Sequence, residues 1–214
     1  MDEIMENLGK AVLEYDSMGA EHWARRAVEA KIDPLEVLEA LTRAISQVGD
    51  GYGRGELWLP DLVGAAYAMQ SAMPIIEEQL RKEGKTRESE GLVIIGTVFG
   101  DIHNIGKNMV ATLLTAGGFE VIDLGINVKA EQFVAAAKEH NPKLLALSAL
   151  LTMTAPEQRK VIETLKEEGL RDKLKVIVGG GAITEEFAEE IGADGYDATA
   201  PGAVGLARRL IGIE

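Results

Sequence analysis

The stretch GTVFGDIHNIGKN, residues 96–108, sets an acid and an imidazole two residues apart, Asp101 and His103, with Gly106 three positions further on. In an extended loop such neighbours share one side, so the Asp101 carboxylate can approach the ring of His103. A metal-bound imidazole usually donates its other N–H to a carboxylate, which fixes its tautomer and orientation. One histidine does not hold a bare ion firmly, but it can supply an axial ligand to a metal already held by a macrocycle. Gly106, lacking a Cβ, lets a ligand or a strand come close to the backbone. The competing reading is a capping turn, with Asp101 or Asn104 as the N-cap of a helix and His103 on the surface.

Two other loops carry unusual residues. In SALLTMT, residues 148–154, Ser148 ends an apolar run, where a polar group needs a partner. Leu150, Thr152 and Thr154 follow, and TAPE reads as a capping box with Thr154 as N-cap and Glu157 reaching back. A hydroxyl there can cap and also join a hydrogen-bond relay. Gly179, Gly180 and Gly181 follow KVIV. One or two glycines suffice for a turn, so three point to a groove that something flat or bulky enters. No GxGxxG stands at the first strand-to-helix turn, and Gly106-Lys107 is followed by Asn108, which departs from the phosphate-binding loop pattern.

Composition removes several other chemistries. The chain has no cysteine, so thiolate metal sites, iron–sulfur ligation and cysteine nucleophiles are excluded, and with three histidines a closed zinc site is poorly supplied. No nucleophile stands beside an evident base. A formal charge of −13 opposes binding to nucleic acid or to an anionic membrane. No run of 18 apolar residues occurs, and the start MDEIMENLGKAVLEY lacks a signal-peptide pattern, so a cytoplasmic location is the default expectation.

The elements that must position these residues change character along the chain. Residues 1–82 read as an all-α four-helix bundle. Ile4, Leu8, Val12 and Tyr15 recur at helical spacing, followed by Trp23, Ala27 and Val28. A third helix opens at DPLE, with Asp33 as N-cap and Glu36 completing a capping box, and carries Leu38, Leu41, Ile45 and Val48 until VGDGYGRGE breaks the pattern. A fourth starts at Pro60 and carries Leu62, Ala66, Met69, Met73, Ile76 and Leu80, with a kink expected at Pro74. Met69 and Met73 read first as core filling.

The charged run RKEGKTRESEG, residues 81–91, reads as an exposed linker, with 83–90 as its body. From 91 to 214 five strand-plus-helix units follow one another, which predicts an α/β domain, a doubly wound five-stranded parallel sheet of flavodoxin-like (Rossmann-type) order 2-1-3-4-5. Connections of strands one and three then leave in opposite directions and open a crevice at their carboxyl ends. GDIHNIG, SALLTMT and GGGAIT all converge on that rim.

Asp101, His103 and Gly106 as DxHxxG, then Ser148 and Leu150 as SxL, then Gly179 and Gly180, in this order on a five-unit α/β domain, resemble the cobalamin-binding module of methionine synthase. With GELWLPDLVGAAYAMQ resembling that family's helical cap segment, nearly the whole chain is similar to the corrinoid proteins of methyltransferase systems that demethylate methylamines, methanol, betaines or methoxylated aromatics. The resemblance implies cobalamin bound with its own base displaced from cobalt, His103 as the lower metal ligand, Asp101 as its carboxylate partner, and Thr154 where methionine synthase has the serine ending the relay. Ser148 and Thr152 would meet the displaced base of the nucleotide tail, and Gly179 and Gly180 would flank it. Thr199 falls where many relatives have Asp. Met69 and Met73 would face the upper, methyl-bearing side. The implied activity is methyl carriage, from a substrate-specific methyltransferase to a corrinoid:acceptor methyltransferase, with a reductive activator as a third partner and no catalytic residue of its own.

The main rival is a regulatory cobalamin-binding module without methyl turnover. A receiver domain of the same topology and a nucleotide-dependent enzyme stand behind it.

Overall fold

Four helices come first: α1 (Asp2–Leu13), α2 (Ser17–Glu29), α3 (Pro34–Gly53) and α4 (Leu59–Lys82). They belong to a computed structural model that describes residues 2–85 and 89–213. The chain divides into two units, residues 1–88 and 89–214. In the first, Leu8, Val12, Leu41, Ile45, Leu62, Met69 and Ile76 are almost fully buried, the three- and four-residue spacing read from the sequence. Asp16 caps α2 by accepting from the Gly19 amide at 2.9 Å, and Asp33 caps α3 by accepting from Leu35 at 2.9 Å. No capping box forms at this end: the Asp33 side chain accepts from Leu35 and not from the Glu36 amide.

The glycines of VGDGYGRGE do not end α3 where expected. The helix continues to Gly53, and Gly49 and Gly51 are buried within it. A Cβ on Gly51 would sit 2.9 Å from Leu57 Cδ1, so close packing of the returning chain explains this glycine. Helix α4 begins at Leu59, one residue before Pro60, with the Trp58 amide donating to Asp61 Oδ2 at 2.7 Å, and it runs through Pro74. Part of the linker expected at 83–90 lies outside the described residues.

The second unit alternates strictly: β1 (Leu92–Thr97), α5 (Ile105–Ala116), β2 (Glu120–Asp123), α6 (Ala130–His140), β3 (Leu144–Ser148), α7 (Ala155–Glu167), β4 (Lys175–Gly179), α8 (Glu185–Ile191), β5 (Gly195–Tyr196) and α9 (Ala200–Ile211). All pairings are parallel and the order is β2-β1-β3-β4-β5, as expected. Strand residues alternate between two cores. Ile94, Leu145, Leu147, Val176 and Val178 face Phe133 of α6 and Ile162 of α7, while Val93, Ile95, Leu144 and Ala146 face Leu114 of α5 and Ala207 of α9. Burial on both faces is why these strands read as continuous apolar runs. Among the described residues no helix is long and apolar enough to cross a membrane.

Candidate functional site

Strands β1 and β3 are adjacent, with Thr97 opposite Ser148, so the loops that follow them emerge side by side. Asp101 lies between these loops and has no exposed surface. Its Oδ1 accepts from the His103 amide at 3.0 Å and faces His103 Nδ1 at 2.7 Å. Its Oδ2 accepts from the Leu150 amide at 2.8 Å and from the Thr154 hydroxyl at 2.7 Å. Burial alone pushes this carboxyl up. The donors from Thr154, from the amide and ring of His103 and from Leu150 outweigh it and hold Asp101 well below the usual carboxylate range.

An ionised Asp101 only accepts, so the shared hydrogen sits on Nδ1, and Nε2 of a neutral His103 keeps its lone pair. The His103 side chain is 47% exposed. Among the described residues no group of three or more His, Cys, Asp or Glu gathers to hold a metal ion. The arrangement offers one outward imidazole nitrogen on a buried, ionised support.

Three further residues hold the loop and were not singled out in the sequence. Thr97, wholly buried at the end of β1, donates its hydroxyl to the His103 carbonyl at 2.9 Å. Asn127, in the β2–α6 loop at φ 54, accepts from the Gly100 amide at 2.8 Å through its side chain and donates its own amide to the Asp101 carbonyl at 2.9 Å. Lys107 is buried in the first turn of α5, where it pairs with Asp123 and donates to Asn108 Oδ1 at 2.7 Å. A threonine closing an apolar run was a legible signal for Thr97; the other two depend on contacts with other loops.

The capping expectations fail. Asn104 occupies the N-cap of α5 without a side-chain cap bond, and Asp101 turns its second oxygen to the neighbouring loop. Thr154 occupies the N-cap of α7 but makes no cap bond, so the expected TAPE capping box does not form. The hydroxyl instead donates to Asp101. Thr199 does cap α9, accepting from Gly202 at 3.1 Å, while its hydroxyl donates to Asp197.

Of the remaining residues, Ser148 is half-buried at the end of β3, and its hydroxyl makes no side-chain hydrogen bond among the described residues. Leu150 and Thr152 are exposed on the same loop. Gly106 stands in the first turn of α5 with nothing within 4 Å of a Cβ built there. Gly179 ends β4, and Gly180 follows at φ +117, where a Cβ would lie 2.0 Å from the Ala149 carbonyl oxygen. Gly180 therefore lets the loops after β3 and β4 touch through their backbones. In the helical unit Met69 is fully buried and Met73 half-buried.

The loops around His103 expose large apolar side chains: Phe99, Ile102 and Ile105 after β1, Ile126 after β2, and Leu150, Leu151 and Met153 after β3. Apolar surface of this extent on one rim marks a binding face. An apolar rim around one oriented imidazole fits a flat macrocycle whose metal accepts a nitrogen ligand from below.

Residues 91–204 match the B12 binding domain family, and residues 4–77 match a second family described in the same words. The chain is 41% identical over 211 residues to a corrinoid protein of Desulfitobacterium hafniense (strain Y51), covering 98% of both chains. It is 40% identical over 213 residues to the trimethylamine corrinoid protein of Methanosarcina barkeri, covering 99% of this chain and 98% of that one. Among solved structures, the methanol:cobalamin methyltransferase complex MtaBC of Methanosarcina barkeri superposes with a TM-score of 0.82 at 32% identity, over 99% of this chain and 80% of that one. The chain belongs to the corrinoid proteins, a cobalamin-binding family.

Proposed function

We propose that this protein is the methyl-carrying subunit of a multi-component methyltransferase, with cobalamin bound base-off and His103 as the lower cobalt ligand. The observation that carries the reading is the buried Asp101, which takes Nδ1–H of His103 on one oxygen and the Thr154 hydroxyl on the other. That leaves Nε2 free to ligate. Bound cobalt supplies the centre that accepts and donates the methyl group.

The chain's own residues do the rest. Asp101 and Thr154 orient the imidazole and can hold or release a proton at Nδ1 as the strength of ligation at Nε2 changes. Ile102, Ile105 and Leu150 keep water from the lower face. Ser148 and Thr152 are assigned to the nucleotide tail, Gly179 and Gly180 to its flanks, and Gly106 to close approach of the macrocycle. Met69 and Met73 are assigned to the upper face. Those partners are a substrate-specific methyltransferase of the methylamine, methanol, betaine or O-demethylase kind, a corrinoid:acceptor methyltransferase, and a reductive activator. Relatives named for trimethylamine and a structural neighbour named for methanol support this kind of partner.

The test is transfer of labelled methyl. The reduced, cobalamin-loaded protein is incubated with trimethylamine and a trimethylamine methyltransferase, and in parallel with the methanol, betaine and methoxyaromatic systems. Label on the bound corrinoid in any one system supports carriage. No label in any of them, together with a corrinoid-dependent change in DNA or protein binding, would favour a regulatory module.

A further inference from the structure

The chain leaves β1 for His103 through a tight turn. The Asp101 amide donates back to the Val98 carbonyl at 3.2 Å, Gly100 stands at φ +78, and Phe99 before it has a negative φ. Residues 98–101 are therefore a type II turn with the glycine at its third position. Types I and II differ by a flip of the central peptide, here Phe99–Gly100, and a glycine accepts either form at little steric cost. The four residues of the turn leave its type open.

What selects the type stands on another loop. Oδ1 of Asn127 accepts from the Gly100 amide at 2.8 Å, and the Asn127 amide donates to the Asp101 carbonyl at 2.9 Å. The first bond holds the N–H of the peptide that would flip, and a type I turn would point that N–H away from Asn127. The second holds the residue that leaves the turn, whose carboxylate carries the ring of His103.

Packing does not account for an asparagine here. Asn127 is exposed and stands at φ 54, a conformation that glycine adopts most cheaply and asparagine better than most other residues. Glycine would serve the backbone and supply the same amide to Asp101. What the side chain adds is the acceptor for Gly100.

We infer that Asn127 is a positioning residue for His103: by holding the turn at residues 98–101 in one form, it fixes the main chain from which Asp101 reaches the imidazole. Its bearing on cobalt rests on the reading of His103 as the lower ligand given above. Without the acceptor the central peptide is free to flip, Asp101 shifts with it, and the shared hydrogen is no longer confined to Nδ1.

The experiment uses the full-length protein and two variants. Asn127→Gly removes the acceptor and keeps the backbone conformation, whereas Asn127→Asp keeps an acceptor on a residue that tolerates this φ. In the unloaded proteins, nitrogen NMR shifts of the imidazoles, assigned by their loss in His103→Ala, report the tautomer of the His103 ring, and urea midpoints report stability. Asn127→Gly is expected to lower the ratio of Nδ1–H to Nε2–H tautomer about fivefold, the effect of one hydrogen bond, and to weaken hydroxocobalamin binding by about the same factor. Asn127→Asp is expected to stay within about twofold of the wild type in both. A lower urea midpoint with an unchanged tautomer ratio, equal losses in the two variants, or a changed ratio with unchanged affinity overturns the inference and leaves the cobalamin site intact. Wild-type protein that binds no hydroxocobalamin overturns the ligand reading instead, and the tautomer ratio still decides whether Asn127 positions the ring.

Discussion

Asp101 and Thr154 are 53 positions apart and meet at 2.7 Å, the hydroxyl donating to the carboxylate oxygen that the His103 ring does not use. This contact ties the loop after β1 to the first turn of α7. It also extends the support of His103 by one hydrogen bond beyond its carboxylate.

Thr154→Val is expected to lower stability at neutral pH by about 1–2 kcal/mol, the loss of one hydrogen bond to a buried charge. Asp101 is held below the ordinary carboxylate value. Its contribution is therefore complete above the unfolded value, near pH 3.9, and is lost as pH falls through the folded one. Removing a donor raises the folded value toward the ordinary one, so the contribution shrinks and acid unfolding starts at higher pH. Urea midpoints measured from neutral to acid pH check this, and Thr154→Ser is expected to follow the wild type.

Gly106→Ala separates stability from binding. The site is open to a Cβ and lies in the first turn of α5, so the unloaded protein is expected to keep or gain stability, by up to about 1 kcal/mol from helix propensity. If the macrocycle approaches Gly106 as proposed, hydroxocobalamin affinity is expected to fall. Thermal unfolding of the unloaded variant and a titration read the two effects independently.

At Gly180 the opposite pattern is expected. Its φ of +117 and the Cβ position 2.0 Å from the Ala149 oxygen leave no room for a side chain. Gly180→Ala should destabilise the unloaded protein by about 2 kcal/mol or more, measured as a drop in the urea midpoint.

Much of this was legible in the chain because period and order survive in a sequence. The change from helical spacing to alternating strand and helix units announced two units, and the order of DxHxxG, SxL and GG around the sheet announced one rim. The failures share a physical cause. TAPE reads as a local capping box, yet no cap bond forms and the Thr154 hydroxyl points to a carboxylate on another loop, a partner that local sequence does not display. The glycines after Val48 read as a helix stop, yet burial against Leu57 keeps α3 going. Asn127 and Lys107 escaped notice because each acts through partners on other elements. Met69 could be read as core or as ligand contact from spacing alone, and its burial favours the core.

The most direct test of His103 as the cobalt ligand is the absorption spectrum of the protein loaded with hydroxocobalamin, compared with that of His103→Ala. The wild type is expected to show cobalamin with its own base displaced and an imidazole in its place. The variant, retaining the apolar rim, is expected to bind the cofactor with a different spectrum. Indistinguishable spectra, or no binding by the wild type, would contradict the assignment.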